Sequence, residues 1–359
     1  MIERGLVARS LLVCLREGAD VVAFMREARR LDGVDGCVPI GLMGGIHCMC
    51  DQRGVSRLIR HPDVDLVEEE VYLRLPGNWS RDRQARAQAV VPEGVRLIRA
   101  PEAWPISQGD GVDVAIIDSG VDFRHPDLAP NIGAGVNFVR PGAAPTDETG
   151  HGTMVAGIAC ASQVNGYKGG VAPRARIHPV KVTREDDTAT LSDVLLALEW
   201  VVDRDIPIAN MSFGTDTYSL AFERAVTRAI DRGLTIVAAA GNEGRRRVAY
   251  PAAFPGVIAV AAIDQESRVA RFSSTGPEVD LAAPGVRVLS TAAGGGYARA
   301  SGTSFAAPFV TGVAALYVDL NPQASPAEVR RALRNSAVPL RGSSGVGAGR
   351  VDALNAVNY

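Results

Sequence analysis

Two rhythms of apolar residues divide the chain. Over residues 7–75 the apolar runs are short and change period often. Residues 6–15 read as a strand, and 19–31 as an amphipathic helix with Val22, Phe24, Met25 and Ala28 inward and Arg26, Glu27, Arg29 and Arg30 outward. Asp32-Gly33 ends that helix. Residues 34–40 and 46–51 are short strands around a turn at 41–45, and 55–60 is a helix stopped before Pro62. Residues 64–75 read as one last strand. The order βαββαβ predicts a small α+β unit of the ferredoxin-like kind.

From residue 95 the rhythm is different. Strongly apolar segments at 112–118, 176–182, 208–213, 234–240 and 257–263 alternate with helical stretches at 153–161, 192–204, 218–232, 306–320 and 326–335. Ser192 is the expected cap of the second of these helices. Continuous apolar strands separated by helices predict a parallel sheet covered by helices on both faces, an α/β fold in three layers. Between the two regions, 76–92 has no apolar periodicity and holds Gly77, Asn78, Ser80 and several arginines. It reads as an exposed linker and a candidate cleavage site. The expected division is 1–76, a linker at 77–92, and 93–359.

Composition narrows the function classes. The 359 residues are 47% hydrophobic and 22% charged with a formal net charge of −2, so no electrostatic argument favours nucleic acid or a membrane surface. No apolar run is expected to reach the roughly 18–20 residues of a membrane helix. The first residues lack a signal-peptide pattern, because Arg16, Glu17 and Asp20 follow the short run 11–15 at once. The expectation is a cytoplasmic or non-classically exported protein, or a secreted one whose leader is missing. Five cysteines, four of them in the first 50 residues, have an odd count and irregular spacing. They read as small buried hydrophobes rather than a disulfide framework or zinc site. Gly345, Gly347 and Gly349 lack the strand that a nucleotide loop needs.

Three segments carry chemistry. Gly302-Thr303-Ser304-Phe305-Ala306-Ala307-Pro308 places a serine hydroxyl at the start of an apolar helix. There, unpaired amides and the helix dipole favour developing negative charge. Ile117-Asp118-Ser119-Gly120 puts a carboxylate at the C-terminal end of an apolar strand, where open α/β sheets form their crevices. Gly150-His151-Gly152-Thr153 puts an imidazole between glycines at a helix start. Each alone reads as a cap or turn, but their occurrence together points to nucleophilic catalysis.

These segments resemble the three active-site blocks of the subtilisin-like serine proteases, in the order Asp, His, Ser. Further blocks agree: His125-Pro126-Asp127, Gly170-Val171-Ala172-Pro173, Asn210-Met211-Ser212-Phe213-Gly214, Ala240-Gly241-Asn242-Glu243-Gly244 and Tyr250-Pro251-Ala252. The resemblance covers about 92–359. It implies a serine endopeptidase with Ser304 as nucleophile, His151 as general base, Asp118 as its orienting partner and Asn242 as oxyanion donor. It implies that Ser212, Phe213, Gly214, Ala240 and Gly241 receive an extended polypeptide substrate, with Ala249 near the floor of a pocket for a large apolar residue. Arg245, Arg246 and Arg247 precede that residue and read as a solvated loop.

The chemistry itself needs no cofactor. Structural calcium is an open expectation. Asp127 and Gln88 match positions that carry ligands, but Val164 stands where an oxygen-bearing side chain is expected, with Asn165 beside it. The N-terminal unit resembles a subtilisin propeptide, which implies an intramolecular inhibitor and folding aid removed by self-cleavage in the linker. The alternative is a regulatory module that is kept. The protein is expected to be monomeric.

Overall fold

The computed structural model describes residues 8–75, 91–164, 166–340 and 342–359, and the backbone of 82–84. The large region is built on seven parallel strands. Their order is Val279–Pro284, Ile258–Ile263, Thr235–Ala239, Ile208–Met211, Asp113–Asp118, Arg176–Lys181, Val136–Asn137. The central strand Asp113–Asp118 shows why its sequence is continuously apolar. Val114 and Ile116 join the core beneath helices His151–Cys160 and Thr303–Leu320, while Ala115 and Ile117 join the core beneath Leu191–Val202 and Leu220–Asp231. Alternate side chains of a strand point to opposite faces, so both faces must be apolar when both are covered.

Helix Thr303–Leu320 is 18 residues long, and by length and composition it is able to cross a membrane, contrary to the sequence expectation. It is 89% buried beneath the sheet, so its apolar character belongs to the core.

The N-terminal unit is a four-stranded antiparallel sheet in the order Val34–Ile40, Gly45–Cys50, Arg9–Leu15, Val64–Glu69, with helices Val21–Ala28 and Gln52–Arg60. This is the expected βαββαβ arrangement. Asp20 and Asp51 start its helices, each accepting two backbone N–H bonds in the first turn. Strand Arg9–Leu15 is buried on both faces. Leu11, Val13 and Leu15 pack against the unit's own helices, whereas Leu12 and Cys14 belong to the core shared with the large region. All five cysteines are buried and free.

Three expectations are corrected. Residues 64–75 are not one strand. The ladder ends at Glu70, whose N–H donates to the Ser10 carbonyl. The chain then crosses over, and the Val71 carbonyl accepts from Leu191 N–H of the large region. Tyr72–Arg74 pairs antiparallel with Thr188–Thr190. Helix Leu191–Val202 is capped by Thr190, not Ser192, because the Ser192 hydroxyl donates to the Glu70 carboxylate at 2.7 Å. Strands Val279–Pro284, Val288–Thr291 and Tyr297–Ala300 were not read from the sequence. The first carries Asp280, fully buried where it accepts from Arg330, Arg334 and the Ala259 N–H, an ion cluster that its apolar neighbours do not announce.

Candidate active site

Asp118 continues the parity of Val114 and Ile116, so its carboxylate emerges on the face covered by the histidine and serine helices. It is fully buried. Its Oδ1 accepts from Ser119 N–H at 2.7 Å and from His151 Nδ1 at 2.8 Å. A carboxylate only accepts, so Nδ1 carries the proton and Nε2 is the basic nitrogen.

His151 is the first residue of its helix, two residues earlier than the apolar pattern suggested. Gly150, at φ +89°, turns the chain into the helix. Gly152 is required by contact, since a Cβ there would lie 2.1 Å from the Gly120 carbonyl oxygen. The two glycines therefore let the histidine helix start directly against the turn after Asp118.

Ser304 sits in the first turn of Thr303–Leu320 and is 1% exposed. Its hydroxyl donates to the Ser212 carbonyl at 2.9 Å, and the Ser212 hydroxyl donates to the Ser304 carbonyl at 2.8 Å. Asn210 completes this lock, donating to Ser212 Oγ and accepting from Thr311 Oγ1 on the serine helix. The His151 ring lies 5.2 Å from the ring of Phe305, the residue after Ser304. Asn242 Oδ1 accepts from both the N–H and the hydroxyl of Thr303, each at 2.8 Å. Its amide nitrogen is therefore turned over Gly302, where a Cβ would lie 3.1 Å from it. A fixed donor beside the serine suits an oxygen that gains negative charge.

The structure thus gathers Asp118, His151, Ser304 and Asn242 at the carboxyl edge of one parallel sheet. A match to the subtilase family model covers residues 109–352.

The chain belongs to the subtilase family. Over 309 residues, 86% of this chain and 81% of the relative, it is 36% identical to a thermostable alkaline protease of Halalkalibacterium halodurans. It is 40% identical to Subtilisin BL of Lederbergia lenta over 264 residues, 73% of this chain and 97% of that protein. It is 37% identical to Subtilisin E of Bacillus subtilis over 308 residues, 84% and 77% of the two. This subtilase is a serine endopeptidase that acts on polypeptides and uses no cofactor for catalysis.

Beyond Ser212, to whose carbonyl the Ser304 hydroxyl donates, opens a cleft of about 420 Å³. Of the residues expected to contact substrate, Phe213, Gly214, Gly241 and Ala249 line it. Ser212 and Ala240 do not. Ser212 lies behind, bonded to Ser304, and the Ala240 carbonyl accepts from Ala249 N–H. The sequence reading missed Thr215, Asp216, Thr217 and Glu243, which also line the cleft. It also missed the wall at Asp187–Thr190. The arginines before Ala249 brace the rim, with Arg247 donating to the Asp216 carbonyl and Arg245 lying 3.9 Å from the Asp216 carboxylate.

The chain's own Tyr72, Arg74 and Leu75 form part of the cleft's lining. Arg74 and Gly214 exchange both backbone hydrogen bonds, at 3.0 and 3.1 Å. Leu75 N–H donates to the Asp187 carbonyl at 2.9 Å. Tyr72–Leu75 is thereby a middle strand between two segments of the large region. Leu73 is fully buried and Leu75 nearly so, whereas Tyr72 is exposed. The acidic run 68–70 was expected to continue the strand. Glu68 and Glu69 do pair in that strand, opposite Leu12 and Leu11, and the side chains also reach the large region: Glu68 accepts from Ser219 Oγ, Leu220 N–H and Ala221 N–H, and Glu70 from Ser192 N–H and Oγ. Two glutamates of the small unit thus cap two helices of the large one.

The calcium expectation meets mixed chemistry. Asp127 is fully buried; one oxygen accepts from the Tyr297 hydroxyl and the other has no hydrogen-bond partner among the described residues. Burial, with that bond, pushes the Tyr297 phenol up. The Ser162 hydroxyl is likewise buried and unpartnered. An orphaned carboxylate oxygen fits a hard cation. Val164 is 69% exposed and its side chain offers no oxygen, and among the described residues no cluster of three acidic, histidine or cysteine side chains forms. Gln88 and Asn165 lie outside the described residues.

Proposed function

We propose that Ser304, His151 and Asp118 form the catalytic triad of this subtilase and that Asn242 donates to the oxyanion. The observation that carries this is the buried 2.8 Å contact of Asp118 Oδ1 with His151 Nδ1, with Ser304 held on the Ser212 carbonyl directly before Phe213 and Gly214 of the cleft lining. In attack, the Ser304 hydroxyl exchanges the Ser212 carbonyl for His151 Nε2, which takes its proton and returns it to the leaving amine. Asp118 keeps the imidazole in the required tautomer and stabilises the imidazolium. The Asn242 amide and the Ser304 N–H receive the oxyanion, and water then releases the acyl group.

Substrate binds as an extended strand between Gly214 and Asp187–Thr190, in the place of residues 72–75. Backbone pairing gives broad specificity, with a large apolar residue before the cut above Ala249. The N-terminal unit acts as an intramolecular inhibitor and folding aid, and self-cleavage in the linker 77–92 releases it. The enzyme works as a monomer.

The test is the purified full chain beside its Ser304→Ala variant. The wild type hydrolyses casein and yields a fragment of the large region's size. The variant loses about a million-fold in kcat, the size known for the corresponding change in a subtilisin, and stays whole. A variant that still cleaves itself and casein sinks the assignment.

A structural calcium is proposed at Asp127, with its free oxygen and the Ser162 hydroxyl as contributors. A chelator is then expected to lower Tm, and an unchanged melt refutes the site.

A further inference from the structure

Asp147 was not singled out by any sequence motif, yet it joins the two elements that carry Asp118 and His151. Its carboxylate is 7% exposed and accepts from five donors. Oδ1 takes the Ser119 hydroxyl at 2.9 Å, Thr149 N–H at 3.1 Å and Gly150 N–H at 2.7 Å. Oδ2 takes Thr153 N–H at 2.8 Å and the Thr153 hydroxyl at 2.5 Å. An ordinary helix cap would stop at the amides. This one also reaches across to the residue that follows Asp118. Ser119 Oγ in turn accepts from Gly152 N–H at 2.9 Å. His151 is therefore tied on both sides to the Asp118 turn, at Gly150 through Asp147 and at Gly152 through Ser119.

Charge gives a second reason. His151 is the first residue of its helix, where the helix dipole opposes the imidazolium that must form during catalysis. A carboxylate buried at the same terminus opposes that field. The other charged groups nearby are already balanced or turned away. Lys181 lies 3.3 Å from Glu148 and donates to the Ser119 carbonyl. Arg140 pairs with Glu148 and Glu185. Asp122 accepts from Gly294 N–H. Among the described residues no cation pairs with Asp147. Asp118 contacts the imidazole directly, and Asp147 acts from behind it.

We infer that Asp147 is a positioning residue for the hydrolysis: it fixes the histidine helix against the Asp118 turn and supplies negative charge that favours protonated His151. This rests on the triad reading above. The experiment compares steady-state hydrolysis of a peptide substrate by the active enzyme, Asp147→Asn and Ser119→Ala across pH, with Tm measured for each. Asp147→Asn keeps the shape but loses the charge and turns a donor towards N–H groups. It is expected to lose about a hundredfold in kcat with KM nearly unchanged, the cost of a slightly misplaced base. The acid limb of kcat/KM should move to lower pH, because a base with less negative charge nearby protonates less readily. Ser119→Ala cuts the cross-link and keeps the charge, so kcat falls without movement of that limb.

A folded Asp147→Asn enzyme with wild-type kcat and wild-type acid limb overturns the inference, whatever its Tm. A lower kcat with an unmoved limb refutes the charge effect. If Asp147→Asn does not fold, Ser119→Ala decides, and an unchanged kcat there overturns the positioning role. Failure of the triad reading is separate: it would show as equal hydrolysis by wild type and Ser304→Ala.

Discussion

The large region and the N-terminal unit are both sheets covered by helices, but they close their cores differently. In the large region each face of Asp113–Asp118 is covered by helices of that region itself. In the small unit only one face of Arg9–Leu15 is covered by its own helices. Leu12, Cys14, Ile40, Leu42 and Met43 are buried only because they lie on the other region. The large region therefore carries Asp118, His151, Ser304 and Asn242 on segments packed by its own helices. The small unit completes its second core by docking, and the docked face includes Tyr72, Arg74 and Leu75, which line the cleft. Burial of that apolar surface and the strand pairing of Tyr72–Arg74 belong to one docked face, so losing either is expected to loosen both.

That contrast can be broken in graded ways, best followed in the inert Ser304→Ala background so that cleavage does not intervene. Leu73→Ala removes a fully buried side chain from the strand in the cleft. Docking should weaken by about 2–5 kcal/mol, read as faster hydrogen exchange throughout the N-terminal sheet with little change in the large one. Equal loosening of both sheets would refute the division. A smaller effect is expected from Glu68→Gln with Glu70→Gln. Each glutamate brings its charge to a helix start of the large region, for about 0.3–1 kcal/mol apiece. The same exchange measurement should show the loss shrinking at high salt.

The smallest effect concerns pH. Asp65 accepts from Arg224 of the large region, and that hydrogen bond holds its carboxyl below the usual carboxylate range. A depressed carboxylate adds docking stability above its ordinary value near 3.8 and loses it as pH falls through the lower docked value. Asp65→Asn should therefore loosen docking at neutral pH and narrow its difference from the parent below about pH 4. A constant difference across that window would remove the ion pair from the account.

Several features were legible because the local pattern and the tertiary role coincide. The continuous apolar run 112–118 announced a strand buried on both faces, and the glycines around His151 announced a helix start, though not how closely it packs on the Asp118 turn. Asp280 shows the opposite. A charged residue inside a strand argues against a strand unless its partners are known, and Arg330 and Arg334 come from a helix 50 residues later. Asp147 was silent for the same reason, since its meaning lies in Ser119, 28 residues earlier. The run Glu68-Glu69-Glu70 read only as part of one long strand, and the approach of two helix starts is what engages the Glu68 and Glu70 side chains.

By itself the chain's order of residues determined the βαββαβ unit, the parallel α/β sheet, and the three short blocks bearing Asp118, His151 and Ser304. These depend on period, turn chemistry and helix starts, which act over a few neighbouring residues. The tertiary structure alone decided that residues 72–75 leave their own sheet for the cleft, that Thr190 rather than Ser192 caps its helix, and that Asp147 ties His151 to the Asp118 turn. Each of these is a choice among competing hydrogen-bond partners, and that choice depends on which distant segments the packed core brings within about 3 Å.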